Sequence, residues 1–360
     1  MTKTALTPKD RVLTAFHHQE PDRVPIDYIT NPGIDQRLKV HLGLAVDDDE
    51  GLLRCLEVDF RNLSAPYVGP QLYPEPPGIK TNPWGAPRRW VEHETGGYWE
   101  CVDFPLKDAG LEEAEAWPMP NPDDYDYTQV SEACPRFKSY FLTIGGPQVG
   151  DIINNTSMIW GMEKTLVSLL QSEPACLRWI DRRLEVLLEV MRRTIEATKG
   201  RADLLWLGED LGTQRGPMIS LKLFRKHIRP RLQRYVDLAK AYGLMTMIHS
   251  CGASSWAFED FIEMGVEVVD TLQPEAKNMA PSHLKATFGG RLAFHGCIST
   301  AGPVAFGTPE EAAADARQIL EVMMPGGGYA FAPTHQLQDN SRVENVLAIY
   351  QTAKTFGCYG

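Results

Sequence analysis

The chain has 360 residues, 43% of them hydrophobic and 23% charged, an ordinary globular composition able to fill one large core. Its net charge is −11 and no Lys/Arg cluster is long enough to track a phosphate backbone, so nucleic acid is not an expected partner. No uncharged apolar run reaches membrane-spanning length, so a membrane is not expected either.

Seven scattered cysteines (Cys55, Cys101, Cys134, Cys176, Cys251, Cys297 and Cys358) are an odd number. They argue against a disulfide framework and for a reducing compartment. Residues 1–10 lack the apolar centre of a signal peptide, and the expected location is cytoplasmic.

In chain order, residues 8–22 form an amphipathic pattern with Pro8 near its start, a predicted N-terminal helical extension. A first strand is predicted over 23–28, a helix over 34–42 and a second strand over 55–60. Residues 66–128 are rich in Pro, Trp, Gly and Tyr and are expected to be an insertion containing a β-hairpin. Insertions of this length on strand-to-helix loops often shape active sites, and this one is expected to form an apolar lid.

Regular alternation then resumes. Strands are predicted at 140–145, 203–208, 244–249, 266–270, 291–294 and 329–332, with helices between and after them. Thr308 followed by Pro309 marks one helix start. Eight strand-helix units match a (β/α)8 TIM barrel, so residues 1–360 are expected to be one barrel domain carrying the insertion.

In such a barrel, catalytic groups lie where strands end. Those positions hold Glu209 and Asp210, His249 and Cys251, Asp270 and Gln273, His295 and Cys297, and Thr334 and His335. His249 and Cys251 stand two residues apart at the end of an apolar run, so an extended backbone points both the same way. Imidazole nitrogen beside thiolate sulfur is a pair that zinc favours. The third ligand is open between Cys297 and His335, because the spacing allows either. Glu209 and Asp210 are adjacent and point to opposite sides if extended, so one is expected to face the site. Cys297 and His295 read equally well as packed core groups. No phosphate-binding loop or nucleophile elbow is present.

The residues together resemble a family. They are Arg11-Val12-Leu13 with Glu20-Pro21-Asp22-Arg23-Val24-Pro25, Glu209-Asp210-Leu211-Gly212-Thr213-Gln214, His249-Ser250-Cys251-Gly252, His295-Gly296-Cys297-Ile298, the run from Gly326 to His335, and Val343-Glu344-Asn345-Val346. Nearly the whole chain resembles the superfamily of uroporphyrinogen decarboxylase and the related corrinoid-dependent methyltransferases, which implies a (β/α)8 barrel. The decarboxylases carry an N-terminal arginine motif that binds substrate carboxylates. The matching residues here, Ile26-Asp27-Tyr28-Ile29-Thr30-Asn31-Pro32-Gly33, contain no arginine.

The resemblance is therefore to the methyltransferase branch, whose zinc motif is His-x-Cys followed much later by a cysteine. His249 and Cys251 match the first two positions, and His335 stands where the late cysteine is expected. What the resemblance implies is a zinc-dependent methyltransferase acting between a small methylated substrate and a cobalamin on a partner corrinoid protein. Its metal residues would be drawn from His249, Cys251, His335 and Cys297, with Glu209, Asp210 and His335 as catalytic groups. A homodimer is a further expected assembly. The alternative is a metal-independent decarboxylase or lyase in which His335 and an acidic residue handle protons.

Overall fold

A computed structural model describes residues 6–360, and the reading of residues 1–5 as free of a signal peptide lies outside them. In chain order the strands are β1 (Phe60–Leu63), β2 (Ile79–Thr81), β3 (Pro87–His93), β4 (Gly96–Cys101), β5 (Phe141–Gly145), β6 (Leu204–Gly208), β7 (Met245–His249), β8 (Val268–Thr271), β9 (Ala293–Ile298) and β10 (Tyr329–Pro333). Seven of them form one sheet in the order β1-β5-β6-β7-β8-β9-β10, every neighbouring pair parallel. Strands β6 to β10 are buried along their whole length. That is why they are continuous apolar runs and not alternating ones: both faces of a helix-covered parallel sheet are out of water. The fold is thus α/β, a curled parallel sheet with helices packed around it.

The predicted first strand over 23–28 is reduced to two isolated bridges, a parallel one between Ile26 and Phe331 and an antiparallel one between Arg23 and Cys358. The segment still bonds on both sides: Asp27 N–H donates to Phe331 O, Phe331 N–H to Pro25 O, and Asp59 N–H to Ile26 O. Pro25 has no N–H, which is the reason a longer ladder cannot form. The strand predicted over 55–60 also needs correction. A helix occupies Asp49–Cys55, capped by Asp48, whose carboxylate accepts from Gly51 N–H at 2.8 Å, and the strand begins only at Phe60. The helix predicted over 8–22 stops at Phe16.

The insertion holds the antiparallel sheet β2-β3-β4, with Trp90 opposite Trp99 across the hairpin, so the predicted hairpin is present with one extra strand. The helix predicted from Thr308 runs over Pro309–Met323, with the Thr308 and Glu311 side chains capping each other's backbone amides. All seven cysteines are free thiols. Among the described residues, no helix is long and apolar enough to cross a membrane.

Candidate metal centre

Strand β7 delivers His249, and the next two residues turn at its end. Gly252 has φ +70, and a Cβ there would lie 2.4 Å from Gly212 O, so only glycine lets the loops after β6 and β7 touch backbone to backbone. That contact brings Asp210 against Cys251. Asp210 accepts from Cys251 N–H at 2.8 Å, and its other oxygen accepts from Asn154 Nδ2 at 2.8 Å. Cys251 Sγ lies 3.2 Å from His249 Nε2, and Asp210 lies 3.8 Å from the same nitrogen. One ligand-type atom each from Asp210, His249 and Cys251 therefore falls within 4.8 Å of the others.

The opposite edge of the His249 ring is tied down. Nδ1 lies 2.6 Å from Asp270 Oδ2 and 2.7 Å from Thr271 Oγ1. Asp270 Oδ1 lies 2.6 Å from His295 Nδ1, and His295 Nε2 lies 3.0 Å from Asp27 Oδ2. Burial pushes the Asp270 carboxyl up, but the two histidines outweigh it and hold the group well below the usual carboxylate range. Burial likewise pushes His295 down, and the flanking Asp270 and Asp27 reverse this, raising it to about 9. His249 is raised for the same reason, with Asp270 and Cys251 prevailing over burial.

Glu209 is placed differently from its neighbour. It is fully buried and accepts the backbone amides of Ile152 and Ile153 at 2.8 and 3.1 Å, at the start of the helix Ile153–Trp160. Burial and nearby Asp151 raise its pKa. Of the adjacent pair, Asp210 thus faces the site, while Glu209 holds the helix beside it.

Cys297 lies apart from the cluster. Strand β9 continues through Ile298, so Cys297 sits inside the sheet and not beyond its end, as placing it on the rim had required. It is wholly buried among hydrophobic residues with φ +71, and burial alone pushes its thiol up. His335 is near the cluster without being in it: its ring centroid is 6.3 Å from that of His249. Burial, then the charge of His249, lowers its pKa. Two cavities meet here, of about 420 and 410 Å3, both lined by Pro147, Gln148, His249 and His335. The insertion supplies Cys101 and Phe104 to the wall of the first, and Tyr28 and Trp206 line the second.

Asp27 and Asn154 were not singled out from the sequence. Asp27 follows an apolar dipeptide near the end of a predicted strand, a signal of the same kind that marked Asp270. Asn154 is one of two adjacent asparagines in a helix, and nothing in the sequence distinguishes it.

Over 98% of this chain and 99% of the other, the structure is similar to that of a methyltransferase from Methanosarcina mazei, with a TM-score of 0.64 and 18% sequence identity. A D-psicose 3-epimerase with D-tagatose from Clostridium cellulolyticum H10 is 15% identical with a TM-score of 0.39, covering 64% of this chain and 81% of that one. A 3-keto-D-glucoside 4-epimerase from E. coli is 13% identical with a TM-score of 0.35, covering 63% and 85%. No curated protein matches the chain. The family model for uroporphyrinogen decarboxylase (URO-D) matches residues 107–356, more than half of the sequence and every strand of the parallel sheet after β1. The chain belongs to the uroporphyrinogen decarboxylase family.

Proposed function

We propose that the protein is a zinc-dependent methyltransferase on a (β/α)8 barrel, moving a methyl group between a small methylated substrate and a cobalamin carried by a partner corrinoid protein. The observation that carries this reading is the convergence of His249 Nε2, Cys251 Sγ and the Asp210 carboxylate within 4.8 Å. The donor set fits zinc, with one nitrogen, one sulfur and one oxygen leaving a position open for substrate. It also fits in its surroundings, since Asp270 bonds the far ring nitrogen of the metal-binding histidine. Whole-length likeness to a methyltransferase fold is in accord with it.

Zinc would act as a Lewis acid on the heteroatom that bears or receives the methyl group. The chain's own residues do the rest. Asp270 and Thr271 hold Nδ1 of His249, so Nε2 is turned toward the cavities. Asn154 and the Cys251 amide orient Asp210. His335 borders both cavities and is kept neutral by its lowered pKa, so it can accept a proton from a substrate heteroatom. Phe104 and Met158 give the first cavity an apolar wall.

The decarboxylase alternative requires a cation to hold the substrate carboxylate. No Lys or Arg lines either cavity, Arg183 points its guanidinium at the backbone carbonyls of Asp151 and Gln148, and the His249 imidazolium on both walls already has Asp270 as its counter-charge. The methyltransferase reading is therefore preferred. Metal analysis of protein purified without chelator, followed by methyl transfer from methylcobalamin to a panel of small thiols and amines, tests it. One zinc per chain and demethylation of the cobalamin are expected; a folded, metal-free protein would overturn it.

A further inference from the structure

We propose that Asp27 and His295 are positioning residues that fix the His249 ring through Asp270, so that Nε2 is the nitrogen presented at the site. The inference rests on the zinc reading only for its consequence in metal affinity.

Asp27, His295, Asp270 and His249 form one line of connected hydrogen bonds. Asp270 is 1% exposed and has one histidine on each oxygen, His249 on Oδ2 and His295 on Oδ1. A carboxylate with a single partner can rotate about its terminal torsion, which is soft. One held at both oxygens cannot rotate without breaking a buried bond. His295 is in turn held at both ring nitrogens, by Asp270 and by Asp27, and its ring meets those of Phe60 and Trp206 in T-shaped contacts, with centroids 5.4 and 6.0 Å apart. Asp27 is itself anchored. Its Oδ1 accepts from Tyr28 N–H at 2.8 Å, its own N–H donates to Phe331 O, and its carbonyl accepts from Tyr350 Oη at 2.9 Å.

The backbone shows why this line of groups is so tight. Gly296 has φ +124, and a Cβ there would lie 2.4 Å from Thr271 O. Its absence lets β9 approach β8, setting His295 beside Asp270. Thr271 and Leu272, both non-glycine, also have positive φ at the end of β8, as Cys297 does in β9. Strain of this kind persists only where the surroundings enforce it. Neither Asp27 nor His295 lines the two cavities, so neither meets substrate there.

Two readouts test the proposal in the full-length protein. The first is the downfield Nδ1–H resonance of His249 in metal-free, 15N-histidine-labelled protein. It should shift or vanish in Asp27→Ala and His295→Gln, and persist in Asp27→Asn, which keeps an acceptor for His295. The second is zinc affinity by competition with a chromophoric chelator, expected to fall about 10- to 100-fold in the first two variants and to recover in Asp27→Asn. An unchanged His249 resonance in Asp27→Ala and His295→Gln overturns the proposal, whatever the affinity does. A wild-type protein that takes up no zinc, yet shows the His249 response, removes the zinc reading and leaves the positioning role standing.

Discussion

Asp210 accepts the backbone amide of Cys251 at 2.8 Å, so the carboxylate at one strand end is fixed beside the thiol at the next. The bond holds the Asp210 carboxylate toward the space that His249 Nε2 and Cys251 Sγ share. It also separates Asp210 from Glu209, whose carboxylate is committed to two helix amides.

Ligand substitutions should follow this geometry. His249→Ala and Cys251→Ala should each abolish stoichiometric zinc, and Asp210→Asn should weaken it by at least an order of magnitude. Cys297→Ala should bind zinc as wild type does, because its thiol is packed in the core. Zinc content after gel filtration gives the ranking, and loss of metal in Cys297→Ala would place the third ligand elsewhere than at Asp210.

His335 should matter for turnover and not for the metal. Replacing it by Ala removes a proton acceptor, worth roughly 10²-fold or more in rate for a general base. Zinc content should stay at the wild-type value. Single-turnover methyl transfer measured beside metal analysis separates the two roles, and co-loss of metal would make His335 a ligand.

Glu209 should act through stability. In Glu209→Ala the amides of Ile152 and Ile153 lose their acceptor in a buried setting, at a cost of about 1–3 kcal/mol for each unsatisfied group. Glu209→Gln keeps an acceptor oxygen and should lose much less. Urea unfolding of the two variants reads the difference; equal losses would mean that the amides find other partners.

The metal-free protein should lose stability in alkali through His295. Its pKa is raised to about 9 from an ordinary 6.5, so the native state keeps a proton that the unfolded chain has given up. The contribution is complete below pH 6.5 and drains away as pH rises through 9, to a total of about 3 kcal/mol. Asp270 acts on the acid side with the opposite sign: its depressed pKa stabilises the fold above the ordinary carboxylate value, and this is lost as pH falls below it. Denaturation midpoints of wild type and His295→Gln between pH 6.5 and 9 check the first claim. The wild-type decline should be smaller in the variant, which keeps only the part contributed by His249, whose pKa is raised as well.

Much of the fold was legible from local pattern. Strands β5 to β8 and β10 lie where apolar runs predicted them, because a doubly covered strand must be continuously apolar, and the helix Pro309–Met323 starts where its Thr308 cap predicted. His249 with Cys251 was legible too, since a two-residue offset on an extended chain is enough to place both on one side.

The α/β alternation, the position of the insertion, the lack of an arginine clamp at residues 26–33 and the His-x-Cys pair can all be read along the chain. The rest depends on how distant segments fold against one another, which the three-dimensional structure shows. It placed Asp210 beside Cys251 and buried Glu209 under a helix start, a choice between neighbours that depends on how two loops meet at Gly212 and Gly252. It drew Cys297 into the sheet, because β9 runs on through a glycine at positive φ that no periodicity could announce. And it joined Asp27 to His249 through His295 and Asp270, residues far apart in the chain, because hydrogen bonds across a curled sheet follow its register and not its sequence.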